Sequence, residues 1–404
     1  MVPLTTDSVD NMARSSRFRT GGTRFDGYID SWPTSSPNGP PSATANLFKQ
    51  RNRTCSDYRG SPVTDSPFSS TQAMGVLRLN GYVRRPSSYV RFREVPVTTG
   101  DDYGVVSNDL VPLPAPNGWL LSLIARTNPS RPVLNPPEMI QNIVELPKLL
   151  RETWKFLTHP STSFTPKGAA NTHLGIRFGW LPFIEDLRKL SELSDHVAKR
   201  AMELSQLYSG KGLRAKRSFG TDTKSVPGAS SFSLAGVGRY VTAYSDTLIT
   251  KRCWATIRWK PTTIPPYHPQ DVRNTNYLRR VVLGLTPEGL ANGLWKVIPW
   301  TWLIGWFTNI GDFTLKFSNT VPATHSKGNF MSMVTATTIP AGPVSTTADP
   351  DFNLTLGGSC FTTVRTRINA SSAVVGFNMP FMDMSKLSVL ASLVVQRFKL
   401  RLGR

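Results

Sequence analysis

Cysteine, histidine and acidic side chains are all scarce in this chain. There are three cysteines, Cys55, Cys253 and Cys360, with about a hundred or more residues between neighbours. No CxxC pair exists, which argues against a zinc knuckle or ribbon. So few cysteines, and an odd number, also argue against a disulfide framework and suit synthesis in a reducing cytoplasm. The five histidines, His159, His173, His196, His268 and His325, never fall in HExxH or HxH spacing, so no metal site is expected. Long hydrophobic runs are missing too. The longest uncharged apolar-rich run, Val297 to Gly311, is broken by Pro299, Gly305 and Asn309. It falls short of the roughly 20 residues that a membrane-spanning helix needs. The first residues, Met1 to Asp7, have neither a basic nor an apolar signal region and are not read as a signal peptide.

Catalytic patterns are equally absent. No serine elbow and no Cys/His nucleophile signature appears. The glycine pairs Gly21-Gly22 and Gly357-Gly358 lack the lysine and spacing of a phosphate loop and read as turns or strand breaks. Glu185 and Asp186 are adjacent on an expected helix, where their side chains diverge by about 100°. They suit the helix dipole better than a shared bond. The chain therefore reads as a non-enzyme with no cofactor.

Positive charge is what the chain has in excess. Lys plus Arg is 47 against 26 Asp plus Glu, giving +21 and a pI near 10.2 over 404 residues. A fold this basic repels itself unless a polyanion is near. Nucleic acid is the commonest such partner, and an anionic membrane the second.

The pattern along the chain alternates β, α, β, α, β, α. Residues 1–136 are rich in Pro, Gly, Ser, Thr and Arg, with a Pro/Ser loop at Pro33–Pro41 and short strand-like runs. Asn80-Gly81 between two such runs predicts a hairpin turn. Tyr89–Val95 alternates with period two and carries Arg91 and Arg93 on one face. From Pro137, apolar residues from Met139 to Leu157 recur at helical spacing, with Pro147 expected to kink or split the helix. A second helix is expected from Pro182 to Tyr208. Its apolar stripe is Ile184, Leu187, Leu190, Val197, Ala201, Leu204 and Tyr208, with Arg200 on another face. In Arg252–Lys260, Arg252, Trp254, Thr256, Arg258 and Lys260 share one face and Cys253, Ala255, Ile257 and Trp259 the other. Helices are expected again at Thr275–Leu285 and within Pro287–Ser318, then Thr-rich strands at Phe330–Phe377. A closing helix carries Phe381, Met384, Leu387, Leu390, Val394 and Phe398 on one stripe. The fold class is α+β: a helical bundle region and an elongated antiparallel β-sheet region, both built from discontinuous segments. The β region takes 1–136, 212–273 and 322–379, and the helical region 137–211, 274–321 and 380–404.

Three segments carry a family resemblance. The first is Leu174 to Leu187, centred on Phe178-Gly179-Trp180-Leu181-Pro182, an aromatic-Gly-Trp-Leu-Pro turn feeding a helix. The second is Pro299-Trp300-Thr301-Trp302-Leu303-Ile304-Gly305-Trp306-Phe307, and the third is the closing helix with its basic tail. Their order and spacing resemble the maturation (A) proteins of single-stranded RNA bacteriophages, the leviviruses. In that family the residue before the final Trp of the second block is typically acidic. Here it is Gly305, which suits close helix packing instead.

The resemblance implies one copy per virion, in place of part of the coat shell and in contact with coat protein. It implies binding to stem-loops of the genomic single-stranded RNA, attachment to a bacterial pilus, and entry into the cell with the RNA. It also implies synthesis in the bacterial host cytoplasm, with the β region on the receptor side and the helical region on the RNA side. Two alternatives remain: an added lytic activity through inhibition of host cell-wall synthesis, and a cellular RNA-binding protein. No RRM, KH or OB signature favours the latter.

The residues expected to meet RNA are cations at helix ends. They are Lys211, Arg214, Lys216 and Arg217; Arg279 and Arg280; and Arg397, Lys399, Arg401 and Arg404, beyond which no acid follows Asp383. Arginine suits this role because its fork pairs phosphate bidentately and also stacks. The cationic face of Tyr82–Val95 leaves an RNA contact on the β side open. Trp295, Trp300, Trp302 and Trp306 lie in a segment apolar all round and read as core.

Overall fold

The computed structural model describes residues 15–59, 68–97, 107–134, 136–158, 166–234, 239–262, 275–286, 310–316, 320–346, 351–370 and 384–397, with 290, 294 and 308 singly. The fold is α+β, with a large antiparallel sheet and several helices. The strands are β1 Ser15–Trp32, β2 Ala43–Arg59, β3 Phe68–Arg85, β4 Ser88–Pro96, β5 Leu213–Leu234, β6 Arg239–Pro261, β7 Ala323–His325, β8 Gly328–Pro340, β9 Ser345–Thr346 and β10 Asp351–Ala370. Their order in the sheet is β2-β1-β4-β3-β10-β8-β6-β5, with the short β7 and β9 both on β6. The chain divides into two compact units: 1–115, 218–255 and 329–369; and 116–217, 256–328 and 370–404.

In the first unit the four N-terminal strands close on themselves. β1 pairs with β2 and β4, β4 with β3, and β3 returns to β2 at Gln72↔Arg53 to Ser69↔Ser56. Ile29, Leu77, Leu79, Val83, Val90, Phe92 and Val95 are buried in one cluster. Period-two alternation explains this core: in β4, Val90 and Phe92 are buried while Arg91 and Arg93 are exposed.

Two expectations fail here. Asn80-Gly81 is not a hairpin turn. The chain reverses at Pro86-Ser87, and Asn80-Gly81 lies inside β3 at a break in register with β4. Gly81 has φ 128°, and a Cβ there would collide with the Asn353 carbonyl of β10. Glycine is required by this close approach and not by a turn. Opposite the break, Glu94 adopts φ 54° and its amide donates to Asn80 Oδ1 at 2.7 Å. Similarly, Gly21-Gly22 and Gly357-Gly358 lie within β1 and β10, paired to Arg53-Asn52 and Arg78-Leu77. The strands therefore run longer than the Pro/Gly-rich composition suggested.

In the second unit, α1 (Trp119–Thr127) is almost wholly buried. It is followed by α2 (Pro136–Thr158), α3 (Pro166–Gly175), a π-helical turn (Ile176–Trp180), α4 (Leu181–Ser191), α5 (Leu193–Tyr208), α6 (Thr275–Val282), α7 (Ile310–Lys316) and α8 (Met384–Arg397). α2 passes through Pro147 without ending. The expected Pro182–Tyr208 helix breaks at Glu192, where φ is −91° and ψ 13°. Ile184, Leu187 and Leu190 of its predicted stripe are exposed, while Val197 and Leu204 are buried, joined by Leu207.

Arg200, expected on an outer face, is buried at 3% exposure. It donates to the Pro129 and Arg131 carbonyls at 2.7 Å and to Glu203 at 3.1 Å, and Glu203 also accepts from Arg131 at 2.8 Å. Burial and the neighbouring Arg131 push the Arg200 pKa down to about 10, against the pull of Glu203. It stays charged at neutral pH and ties α5 to the segment after α1. In α8, Val389 is buried, whereas Met384, Leu387 and Val394 of the expected stripe are exposed.

Candidate nucleic-acid interface

Within the second unit, the first residues of β5 lie beside the last residues of β6. The turn from α5 ends at Gly212, whose φ is 73°. A Cβ there would collide with the Trp259 carbonyl and come within 3.4 Å of Lys260 Cγ. Glycine thus permits the approach that sets the two strands side by side. On the inner face, Leu213, Ile257 and Trp259 are buried. Trp259 Nε1 donates to Thr127 Oγ1 of α1 at 3.1 Å, and its ring meets His325 edge-on at 5.3 Å. Arg217 belongs to this inner face. It donates to the Ser122 carbonyl at 2.7 Å and also contacts the Ser122 hydroxyl. Burial, helped by Arg126 and opposed by Asp312, lowers its pKa.

The outer face is cationic. Arg214 and Lys216 of β5 and Arg258 and Lys260 of β6 are exposed. Lys211 precedes them in the turn. Lys327 is exposed next to Ser326, whose amide donates to the Arg258 carbonyl at 2.8 Å. Acidic residues are missing from every segment that builds this face: none occurs from 204 to 221, from 247 to 270, or from 313 to 348. Among the described residues, Arg214, Arg258 and Lys260 form no ion pair. Cations at alternate positions along a strand stand about 6.6 Å apart, with a second row on the neighbouring strand about 4.8 Å away. Such a grid can meet successive phosphates of a nucleic-acid backbone with charge-assisted hydrogen bonds.

A family model for phage maturation proteins matches residues 149–339. Over that stretch the chain matches the maturation proteins of RNA phages. No curated protein matches it. For this chain the match implies a component of the virion. The matched stretch contains the whole cationic face and leaves out β1 to β4.

The family motif is built differently from the expected turn. Phe178, Gly179 and Trp180 lie in the π-helical turn, and Leu181 and Pro182 open α4 without a break in helical backbone. Gly179 is buried, Trp180 half-buried and Phe178 exposed. Pro182 supplies no amide donor to this continuous helical backbone, and it follows directly on the wider π-helical turn. Pro299 and Trp306 lie outside the described residues, as do Trp295, Trp300 and Trp302.

The expected RNA contacts divide by position. Lys211, Arg214 and Lys216 stand at the cationic face, and Arg217 turns inward. Arg279 and Arg280 are exposed on α6, whose Leu278, Val281 and Val282 are buried. Arg397 is the last residue of α8, and Lys399, Arg401 and Arg404 lie outside the described residues. Arg258, Lys260 and Lys327 stand at this face too, and the sequence reading did not include them. The alternation of Arg252–Lys260 was visible in the sequence, but its neighbour across the strand was not. Among the described residues, no cluster of metal-binding side chains occurs, and no helix is long and apolar enough to cross a membrane.

Proposed function

We propose that this maturation protein binds structured genomic RNA through the outer face of β5 and β6 and attaches the virion to a bacterial pilus through its N-terminal strands. The observation that carries the RNA assignment is the convergence of Arg214, Lys216, Arg258 and Lys260 from two sequence-distant segments that contain no acid. Among the described residues of the second unit the face has no exposed aromatic, so it suits backbone and shape recognition of RNA stems. Arg279, Arg280 and the C-terminal cations add further phosphate contacts from the helical bundle. The receptor assignment is supported by the Pro/Ser loop 33–42 and the exposed strands beside it. In the virion the protein contacts coat protein, and it enters the cell with the RNA.

The test is RNA affinity of the purified protein between 50 and 200 mM salt. Neutralising several phosphates predicts a loss of roughly a hundredfold or more across that range. Combined Arg214→Glu, Arg258→Glu and Lys260→Glu should weaken binding and flatten the salt dependence. An unchanged slope in that variant would move the RNA site elsewhere.

A further inference from the structure

The protein carries +21, yet the exposed face of β1 and β2 is nearly neutral. No charged residue occurs from Ser31 to Phe48. This stretch holds the loop between β1 and β2 and the first residues of β2. Alternate residues of β1 and β2 form one exposed face, where Thr20, Arg24, Asp26 and Tyr28 oppose Thr54, Gln50, Phe48 and Asn46. Most charges on it are paired internally, and Arg91 of β4, opposite Asp30, is exposed at its edge. Arg24 donates to Asp26 at 2.7 Å and lies 4.1 Å from the Phe48 ring centroid. Arg93 of β4 holds Asp30 through bonds of 2.7 and 3.0 Å and stacks 5.4 Å from Tyr28. Away from that edge, what remains for a partner is amide and hydroxyl groups with aromatic rings between them: Phe18 is 69% exposed, Phe48 54% and Tyr28 41%.

The loop is already ordered. Trp32 Nε1 donates to the Gly39 carbonyl at 3.1 Å, Thr34 to the Ser36 carbonyl at 2.7 Å, and Ser42 closes on Ser31 through both its amide and its hydroxyl. Four prolines, Pro33, Pro37, Pro40 and Pro41, restrict it further. A rigid surface of aromatics, amides and hydroxyls loses little entropy on docking, and this is the chemistry of protein–protein recognition. A polyanion would find no unpaired cation in the loop to attract it.

We infer that the loop 33–42 and the exposed β1–β2 face form a preorganised platform for an uncharged, hydrogen-bonding protein surface, which is the receptor contact. This assignment rests on the proposed attachment function and adds which face is used and by what chemistry. Adsorption through this platform depends little on salt, in contrast to RNA binding. Either sign of charge placed on it is harmful, because a buried unpaired charge is costly whatever its sign.

The experiment uses particles carrying Asn46→Asp, Asn46→Lys or Phe48→Ala, adsorbed from 50 to 500 mM NaCl to cells of the strain on which the wild-type particles form plaques. Circular dichroism of each purified variant checks its fold. The wild type should adsorb equally across the salt range. All three variants should lose roughly tenfold or more while packaging RNA normally. Wild-type adsorption that falls steeply with salt, or folded variants that adsorb normally, would overturn the platform. If Asn46→Lys raised RNA affinity of the purified protein and Asn46→Asp lowered it, the face would belong to RNA and the inference would fail. Normal adsorption by particles assembled without the protein would instead overturn the attachment function itself.

Discussion

Two sheet faces of this molecule share a construction and differ in charge. In the first unit, the face of β1 and β2 is exposed above a core that includes Ile29, Leu79 and Phe92. In the second, the outer residues of β5 and β6 are exposed above Leu213, Ile257 and Trp259. The first face pairs its arginines with carboxylates at Asp26 and Asp30, whereas the second has no acid in the segments that build it. Backbone geometry and burial are therefore not what distinguishes them. The placement of acids is, and it leaves one face nearly neutral while concentrating positive charge on the other. A net charge of +21 describes neither face.

The most damaging way to break the cationic half is through Arg200. Arg200→Ala removes a buried charge that holds two carbonyls and leaves Glu203 short of a partner. It should cost about 3–5 kcal/mol, read as a shift in the urea midpoint. A loss below about 1 kcal/mol would show that the buried network contributes little.

The neutral half is most vulnerable at Gly81. Gly81→Ala drives a methyl into the Asn353 carbonyl in a strained backbone, and about 1–3 kcal/mol should be lost. An unchanged melting temperature would mean that β3 and β10 can separate freely there.

Asp30 offers a pH probe of the same half. Burial would push its carboxyl up, but hydrogen bonds from Arg93 and Thr44 hold it below its ordinary value. A lowered carboxylate pKa adds stability that is full above the unfolded value near pH 4 and is lost as pH falls through the folded value. Asp30→Asn should cost about 1.5 kcal/mol at pH 7, at the low end because Arg93 is half exposed. The difference from wild type should shrink below pH 4. A constant difference from pH 7 to pH 2 would separate Asp30 from the acid response.

The smallest effect sharpens the contrast. Lys211→Ala should leave stability unchanged and reduce the logarithmic salt slope of RNA binding by roughly 0.7. No change in slope would place Lys211 outside the contact.

The sequence made the cationic strand faces legible because alternation is local. Arg258 and Lys260 lie opposite Ile257 and Trp259 in the pattern itself, and burial follows it. Partner strands were not legible, so the meeting of Arg214 with Arg258 and Lys260 had no local signature. Glycine misled in both directions. Gly81 and Gly358 serve close strand contacts that look like turns in sequence. Helical stripes were less reliable than strand faces. Ile140, Ile143, Val144, Leu150 and Trp154 have helical spacing in α2 yet are exposed. Arg200 has the chemistry of a surface residue and is buried because two carbonyls and Glu203 satisfy its guanidinium. Such a cluster draws on segments about 70 residues apart, and no periodicity announces it.

The central claim is that RNA is held electrostatically by the outer face of β5 and β6. The most direct test measures the affinity of genomic RNA for the wild type and for the combined Arg214→Ala, Arg258→Ala, Lys260→Ala variant across 50 to 200 mM salt. The account predicts a steep wild-type loss and a slope shallower by roughly 2 in the variant, at about 0.7 per phosphate contact. Parallel lines for the two proteins would contradict it.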